Sequence, residues 1–461
     1  MALSAPRMTA LQVTRLPYCA DNRHYYAALR DLPWPVWLDS GYPGSGGGRY
    51  DIIAADPHLT LVCKDGTTTI AAVDGGVRVS QSDPLGLLRN ALGPSVAADG
   101  DLPFRGGAIG FLGYDLTRAL GELPARAGEE GWPDMAVGLY DWALLVDHAR
   151  QRCNFVYSGR DPRGEDSWRS ALRQLSKVRP NCEPPRATTG RLIEPGMPHD
   201  AYARSFARIQ RYIRDGDCYQ VNLAQRFRAA VNTDAWTLYQ RMRADNPAPF
   251  GALLEYPFGQ VLSCSPEQFL QLRDGHVQTR PIKGTRPRGD CAQSDQAMRA
   301  QLLSSAKDRA ENLMIVDLLR NDLGKVCEPG SIEVPELFQV ESFATVHHLV
   351  STVTGDLRSG CDALDLLAAC FPGGSITGAP KRRAMQIIDE LEPVRREVYC
   401  GSVIRLGFDG NLDSSITIRT LLMRGDEVCY WAGGGIVADS ACAAEYQESL
   451  DKAAAFLGLF A

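Results

Sequence analysis

The chain has 461 residues, long enough for one large domain or two to three ordinary ones, with room for a substantial core. Hydrophobic residues make up 44% and charged ones 23%, and 49 basic residues against 55 acidic ones leave a formal charge of −6. That balance excludes a basic field for nucleic acid or anionic lipid, and no apolar run reaches the ~18 residues of a membrane span. The N-terminal stretch MALSAPRMTALQVTRLP lacks the apolar core of an export signal. Thirteen scattered cysteines without C-x-x-C spacing argue against a disulfide framework or a zinc site and for reduced thiols in the cytoplasm.

In chain order, PVWLDSGYPGSGGGRYDIIAADP predicts a strand, a Gly/Ser loop over Gly41–Gly48 and a buried strand over Tyr50–Ala55. GGAIGFLGYD predicts a further strand, and LYDWALLVDHARQRCNFVY a hairpin. Residues 159–190 turn polar, charged and Pro-rich around one amphipathic stretch, which suggests a linker between an N-terminal region, 1–158, and a catalytic region, 191–461. Phe206, Ile209, Tyr212 and Ile213 recur at helical spacing, Gly216 stops that helix, and Cys218–Phe227 alternates as a strand. KDRAENLMIVDLLRNDLGK and APKRRAMQIIDELEP predict helices, the second with Pro380 in its first turn. SITIRTLLMR and EVCYWAGGGIV read as strands, and DSACAAEYQESLDKAAAFLGLF as a capped final helix. Helices and strands come in clumps, which predicts an α+β architecture with antiparallel sheets.

Several constellations could carry chemistry. Asp308 and Glu311 on one helix, and Glu445 and Glu448 on another, each place two acids on one face. Together they could hold Mg²⁺, which takes few protein carboxylates plus water and a substrate oxygen. Acids in a first helical turn equally complement the helix dipole, and Glu448 with Lys452 is an ordinary i, i+4 pair. FPGGSITGAPKRRA sets Gly373, Gly374 and Gly378 before a helix start, a potential anion site to which Lys381 adds charge, or else a plain turn. Gly433, Gly434 and Gly435 follow a strand and would allow close backbone approach to a ligand, or form a bulge. Lys283, within PIKGTRPRG, is either an anion-binding cation or, if desolvated, a nucleophile. His347 and His348 should point to opposite faces of a strand, so that only one could face a site, a satisfied structural histidine being the commoner outcome.

The ordered segments CYQVNLAQRF, SPEQF, RPIKGTRPRG, DRAENLMIVDLLRND, HHLVSTVTG, FPGGSITGAPKRRAM, YCGSVI, ITIRT and AGGGIVADSACAAEYQE closely resemble the chorismate-utilising enzymes. That family includes anthranilate, aminodeoxychorismate, isochorismate and salicylate synthases, and the likeness runs from about Met197 to Leu457. It implies a large two-sheet β-sandwich core flanked by helices, as in anthranilate synthase component I, with the two halves of the chain interleaved. It also implies a chorismate site with Mg²⁺ held by Glu311 and Glu448, and Asp308 and Glu445 nearby. Tyr399, Arg419 and the backbone at Gly433–Gly435 would hold a substrate carboxylate, and Ser375 stands where many relatives carry threonine. His348 would lie near the ring, and Glu267 would be the general acid for the departing C4 hydroxyl.

Two positions bear on the reaction. Isochorismate and salicylate synthases carry a water-activating lysine where this chain has Gln220, and an amide cannot act as that base. Anthranilate synthases read P-I-A-G-T where this chain reads P-I-K-G-T, and lysine there marks the aminodeoxychorismate synthase component I branch. The resemblance therefore implies amination of chorismate at C4, with Lys283 as a covalent nucleophile at C2. Anthranilate synthase chemistry, or a non-catalytic binding paralogue, are the alternatives. No glutaminase elbow is evident in the sequence, so ammonia would come from a separate amidotransferase subunit, as in the family, or from solution, and a separate lyase would complete 4-aminobenzoate for folate. WLDS, Trp37–Ser40, and NPAPF near Phe250 match the two walls of a family tryptophan pocket, making Leu38, Asp39, Ser40 and Phe250 its candidate residues. WLDS departs from the L-L-E-S of feedback-regulated relatives, which favours a structurally held tryptophan, or an empty core, over allosteric inhibition.

Overall fold

A computed structural model describes residues 11–45, 48–96, 100–124, 131–180, 188–343 and 346–460. Two large antiparallel sheets, twelve strands each, form the core, and helices pack around them. The first sheet runs from Gln12–Leu16 at one edge to Gly190–Glu194 at the other, and the second from Ile282–Pro287 to Val77–Ser80.

Both sheets are shared between the two halves of the chain. In the first, Val36–Asp39 pairs with Phe250–Tyr256, with Leu38 opposite Ala252. In the second, Gly107–Leu112 pairs with Ser402–Gly407, with Ile109 opposite Arg405. Regions 1–158 and 191–461 are thus joined strand to strand in both sheets. Packed on both faces, central strands such as Met135–Tyr140 and Trp142–Asp147 are buried at every position, which is why they read as unbroken apolar runs.

Those unbroken runs hide a second feature: the chain changes sheets within them. Met135–Tyr140 belongs to the second sheet and Trp142–Asp147 to the first. Between them Asp141, which is buried, accepts hydrogen bonds from the Arg160 and Asp161 N–H groups at 2.7 and 2.9 Å. The expected hairpin therefore comprises only Trp142–Asp147 and Arg152–Tyr157. SITIRTLLMR is likewise two strands in different sheets, Leu412–Ile416 and Thr420–Arg424. Arg419 takes a positive φ of 52° at the break. A third crossing separates Gly259–Ser265 from Gln268–Arg273.

The helices expected from periodicity lie at His199–Arg214, Ala306–Leu323, Lys381–Leu391 and Cys442–Leu457. The last has no side-chain cap, in contrast to the expected one, since Ala441 occupies its N-cap position. Pro380 is the N-cap of Lys381–Leu391, one place before the first turn. The supposed linker contains the Asp166–Leu175 helix, which buries Trp168, Ala171 and Leu175 in the core of the first sheet. Residues 181–187 of that segment, and 46–47 of the Gly/Ser loop, lie outside the described residues. Among the described residues no helix is long and apolar enough to cross a membrane.

Trp168 stacks on Tyr157 at 5.5 Å between ring centroids, so the segment is anchored rather than loose. Trp168→Ala is expected to destabilise the protein by about 3 kcal/mol in urea denaturation. A loss below ~0.5 kcal/mol, the scale of an ordinary surface substitution, would show that the segment is only a tether.

Candidate active site

Two of the sheet crossings meet at one place. The Glu267 carbonyl accepts from Ile416 N–H at 3.1 Å, and the Arg419 carbonyl accepts from Cys264 N–H at 3.0 Å. This seam puts Glu267 beside the edge strand Ile282–Pro287, with Arg419 immediately before the strand that follows the neighbouring crossing. That strand carries one extra residue against its neighbour: Ile282 pairs with Val350 and Thr285 with His348. Gly284 sits in the resulting bulge at φ 82°, where a Cβ would stand 2.9 Å from Asp308. The irregularity re-aims Lys283, whose Nζ donates to the Ser375 carbonyl at 3.0 Å.

Burial drives the Lys283 amine below the ordinary lysine range, against the raising pull of Glu311 and Glu267, and the Lys452 charge adds to the lowering. Arg286 and Arg288, close to Lys283 along the chain, are directed elsewhere: Arg286 donates to Asp308 at 2.9 Å and Arg288 to Asp295 at 2.7 Å. Glu267 is 4% exposed, and burial pushes its carboxyl up to about 7, while the nearby Ser375 hydroxyl and Lys283 charge pull the other way. An amine shifted toward neutrality thus lies near an acid that holds its proton to near-neutral pH.

The acid-bearing helices converge on the same place. Lys307 lies 3.9 Å from Glu311 and 3.9 Å from Glu445, and Lys452 pairs with Glu448 at 2.7 Å. Burial raises Glu311 against the pull of Lys283; in Glu448 burial is outweighed by Lys452, and the carboxyl falls below its usual range. Gly434 leaves space beside these acids, since a Cβ there would stand 3.2 Å from Glu445 Oε2 and 3.5 Å from Glu448 Oε1. Among the described residues no three acids, histidines or cysteines close to metal-ligating distance. An oxygen-only donor set around an open cradle nonetheless suits Mg²⁺, which completes its shell with water and ligand oxygens. Asp308 is tied to Arg286, and Glu445 accepts from the Ser440 hydroxyl at 2.7 Å.

The glycines lie inside the Glu427–Ile436 strand, not after it, and without a bulge: Gly433, Gly434 and Gly435 pair in regular register with Ala224, Leu223 and Asn222. Lys452 Nζ donates to the Gly433 carbonyl at 2.9 Å, and the Gln220 amide packs against Gly435. Ser375 lies in the Gly374–Ile376 turn, and its hydroxyl has no partner at hydrogen-bonding distance among the described residues. Lys381 does not serve this loop as an anion site: it pairs with the buried Asp322 and the Cys370 carbonyl, clamping the loop to the Ala306–Leu323 helix. Tyr399 is buried with its ring stacked on Trp431 at 6.3 Å. The half-buried Arg419 guanidinium forms no hydrogen bond or ion pair among the described residues, and its charge reaches His348. Burial, then Arg419, holds His348 down to about 4, so its ring is neutral near pH 7. The ring meets the Thr285 hydroxyl at 2.9 Å, while His347 is spent on Ser342 and Asp295.

The residues of the expected tryptophan pocket stand apart, around Val36–Asp39. Buried Asp39 accepts from Arg243 Nε at 2.5 Å and Tyr239 at 3.2 Å, and the Ser40 hydroxyl has no partner among the described residues. Leu38 and Phe250 are half-buried on neighbouring strands. Sequence reasoning treated Lys452 only as a helix pair and missed Lys307; i, i+4 spacing from Glu311 was the available signal.

Comparison with known proteins bears on the family and the fold. The profile of the chorismate binding enzymes matches residues 36–458. Aminodeoxychorismate synthase component 1 of Klebsiella aerogenes is 50% identical, covering 95% of this chain and 96% of its own length. The protein of that name from Salmonella typhimurium is 48% identical over 95% and 96%. The crystal structure of anthranilate synthase component I from Streptococcus pneumoniae TIGR4 superimposes with a TM-score of 0.79 at 32% identity, covering 89% of this chain and 92% of that one. Relatives this similar over nearly their full length, and a profile spanning both sheets, lead to one conclusion: the chain is a member of the chorismate binding enzyme family.

Proposed function

We propose that this enzyme replaces the C4 hydroxyl of chorismate with an amino group, giving 4-amino-4-deoxychorismate. The observation that carries the reading is the setting of Lys283, whose Nζ donates to the Ser375 carbonyl at 3.0 Å, close to the buried Glu267 carboxyl, where burial disfavours the charged form of both groups. The Lys283 nitrogen attacks C2, the two ring double bonds shift by one position each, and the C4 hydroxyl leaves as water with the proton of Glu267. Ammonia then adds to C4, the double bonds return, and the C2–N bond breaks to release the lysine as an amine. The new ammonium returns one proton to Glu267, so charge and protons balance. One difficult displacement becomes two easier ones, with retention at C4.

Glu311 and Glu448, with Glu445 adjacent, would hold Mg²⁺, which would supply charge neutralisation at a substrate carboxylate. The Arg419 guanidinium, unpaired among the described residues, would with Tyr399 suit the second carboxylate, and neutral His348 would adjoin the ring without adding charge. Ammonia comes, in this reading, from a separate glutaminase subunit, in keeping with the component 1 naming of the relatives. A downstream lyase would release 4-aminobenzoate. Tryptophan held near Asp39, Ser40 and Phe250 belongs to the same reading, as a structural ligand.

Turnover of chorismate with ammonium and Mg²⁺, followed by lyase, should give 4-aminobenzoate; 2-aminobenzoate would identify anthranilate chemistry instead. Lys283→Ala should lower amination at least about a hundredfold, near 2.7 kcal/mol, while chorismate binding persists. An equal loss of binding would make Lys283 an anion clamp. Glu267→Gln should abolish most turnover yet stabilise the fold. The wild-type carboxyl is protonated when folded up to about 7, against 4.5 unfolded, so wild-type stability falls as pH rises between those values. The variant's advantage in denaturation midpoint should grow over that window, toward an upper bound of about 3 kcal/mol. A pH-independent difference would contradict the protonated acid. Tryptophan released on denaturing the purified protein would support the structural ligand, and its absence would count against it.

A further inference from the structure

Beneath the site lies an ion pair that the reaction does not use. Arg396 is 2% exposed and Glu392 5%, yet both are charged side chains inside the core. The Arg396 guanidinium grips Glu392 with two bonds, Nε to Oε2 at 2.9 Å and Nη2 to Oε1 at 2.7 Å. Its remaining donors reach two backbone carbonyls, Ile376 at 2.9 Å from Nη1 and Asn222 at 2.8 Å from Nη2. Glu392 in turn accepts from Ala224 N–H at 2.8 Å. The pair therefore couples the strand Gln220–Val231, two of whose residues it touches, to the turn Gly374–Ile376.

What the turn carries gives the coupling its meaning. Ile376 follows Ser375, whose carbonyl receives Lys283. The same Ile376 carbonyl accepts from Asn222 Nδ2 at 2.8 Å, and Asn222 N–H donates to the Thr377 carbonyl at 2.8 Å. The guanidinium also lies against two rings, Tyr114 at 4.9 Å and Tyr399 at 5.9 Å. One buried cation thus contacts the turn under Ser375, the strand that pairs with the glycine run, and the ring of Tyr399. A buried ion pair contributes little net stability, because desolvation offsets its attraction. Its directional bonds can still fix geometry.

We propose that Arg396, held by Glu392, is a positioning residue: it sets the Ser375 turn and the Tyr399 ring in the arrangement that binds chorismate. The inference rests on the chorismate reading of the pocket. Lysine cannot reproduce the planar fork, and an apolar pair can replace the charges without restoring the bonds. Arg396→Lys is expected to weaken chorismate binding, measured by titration calorimetry, about tenfold or more. The double variant Glu392→Met with Arg396→Met is expected to regain the wild-type thermal midpoint, yet keep that weakened affinity. Wild-type affinity in a folded Arg396→Lys protein, or in the double variant, would overturn the proposal and leave the pair a structural one. Wild-type protein that binds chorismate but forms no amino product would overturn the reaction, not this comparison of affinities. Wild-type protein that fails to bind chorismate would overturn both.

Discussion

The crowding of protein around half-buried Lys283 and fully buried Glu267 is the constraint on which the site depends. In water an amine carries its proton at neutral pH and a carboxyl gives its proton up; nucleophilic amine and donating acid would then be scarce together. Burial disfavours charge in either sign, so a single physical cause moves both groups toward the forms that the proposed displacement would require. The two are also mutual counter-ions, and each moderates the shift of the other.

The burial of Glu267 follows from its place where the chain passes from one sheet to the other. A side chain at a sheet crossing is screened by both sheets, whereas one in mid-strand faces a single layer. Glu267 and Arg419 stand at two such crossings, tied by backbone hydrogen bonds across the seam. Arg419 holds a positive φ, a backbone state that a non-glycine residue keeps only where its surroundings impose it. The bulge at Gly284 does for Lys283 what the crossings do for the other two: it departs from the regular ladder so that one side chain leaves its ordinary direction.

Such departures explain what could and could not be read from the residues. Acids at i, i+3 announce a shared helix face whatever the tertiary context, so Glu311 and Glu448 were visible as candidates. Motif resemblance located Lys283 and Glu267, and the two-sheet fold with interleaved halves. The crossings at Asp141 and between Ile416 and Thr420 were invisible because strands buried on both faces carry no alternation to mark a change of sheet. The partner of Lys381 was equally hidden: Asp322 lies 59 residues away, and only the packing of three helical segments brings it near. Arg286 and Arg288 stood close to Lys283 in sequence but find carboxylates of their own, so proximity along the chain was a poor guide to field.

The charges gathered at the site bear on what it can admit. Glu311, Glu445 and Glu448 bring three formal negative charges, against positive charges on Lys307, Lys452 and Arg419. With Lys283 and Glu267 both driven toward neutrality, the pocket is close to balanced before any ligand enters. A dicarboxylate would then arrive as two uncompensated charges in a poorly solvated space, at a cost that a few hydrogen bonds do not offset. A divalent cation held by Glu311 and Glu448, as proposed above, would restore the balance and would offset the raising pull of those two carboxylates on Lys283. On the proposed reading, metal and dicarboxylate would therefore enter as a neutral pair, and the space that Gly434 leaves beside Glu445 and Glu448 is where their charges would cancel.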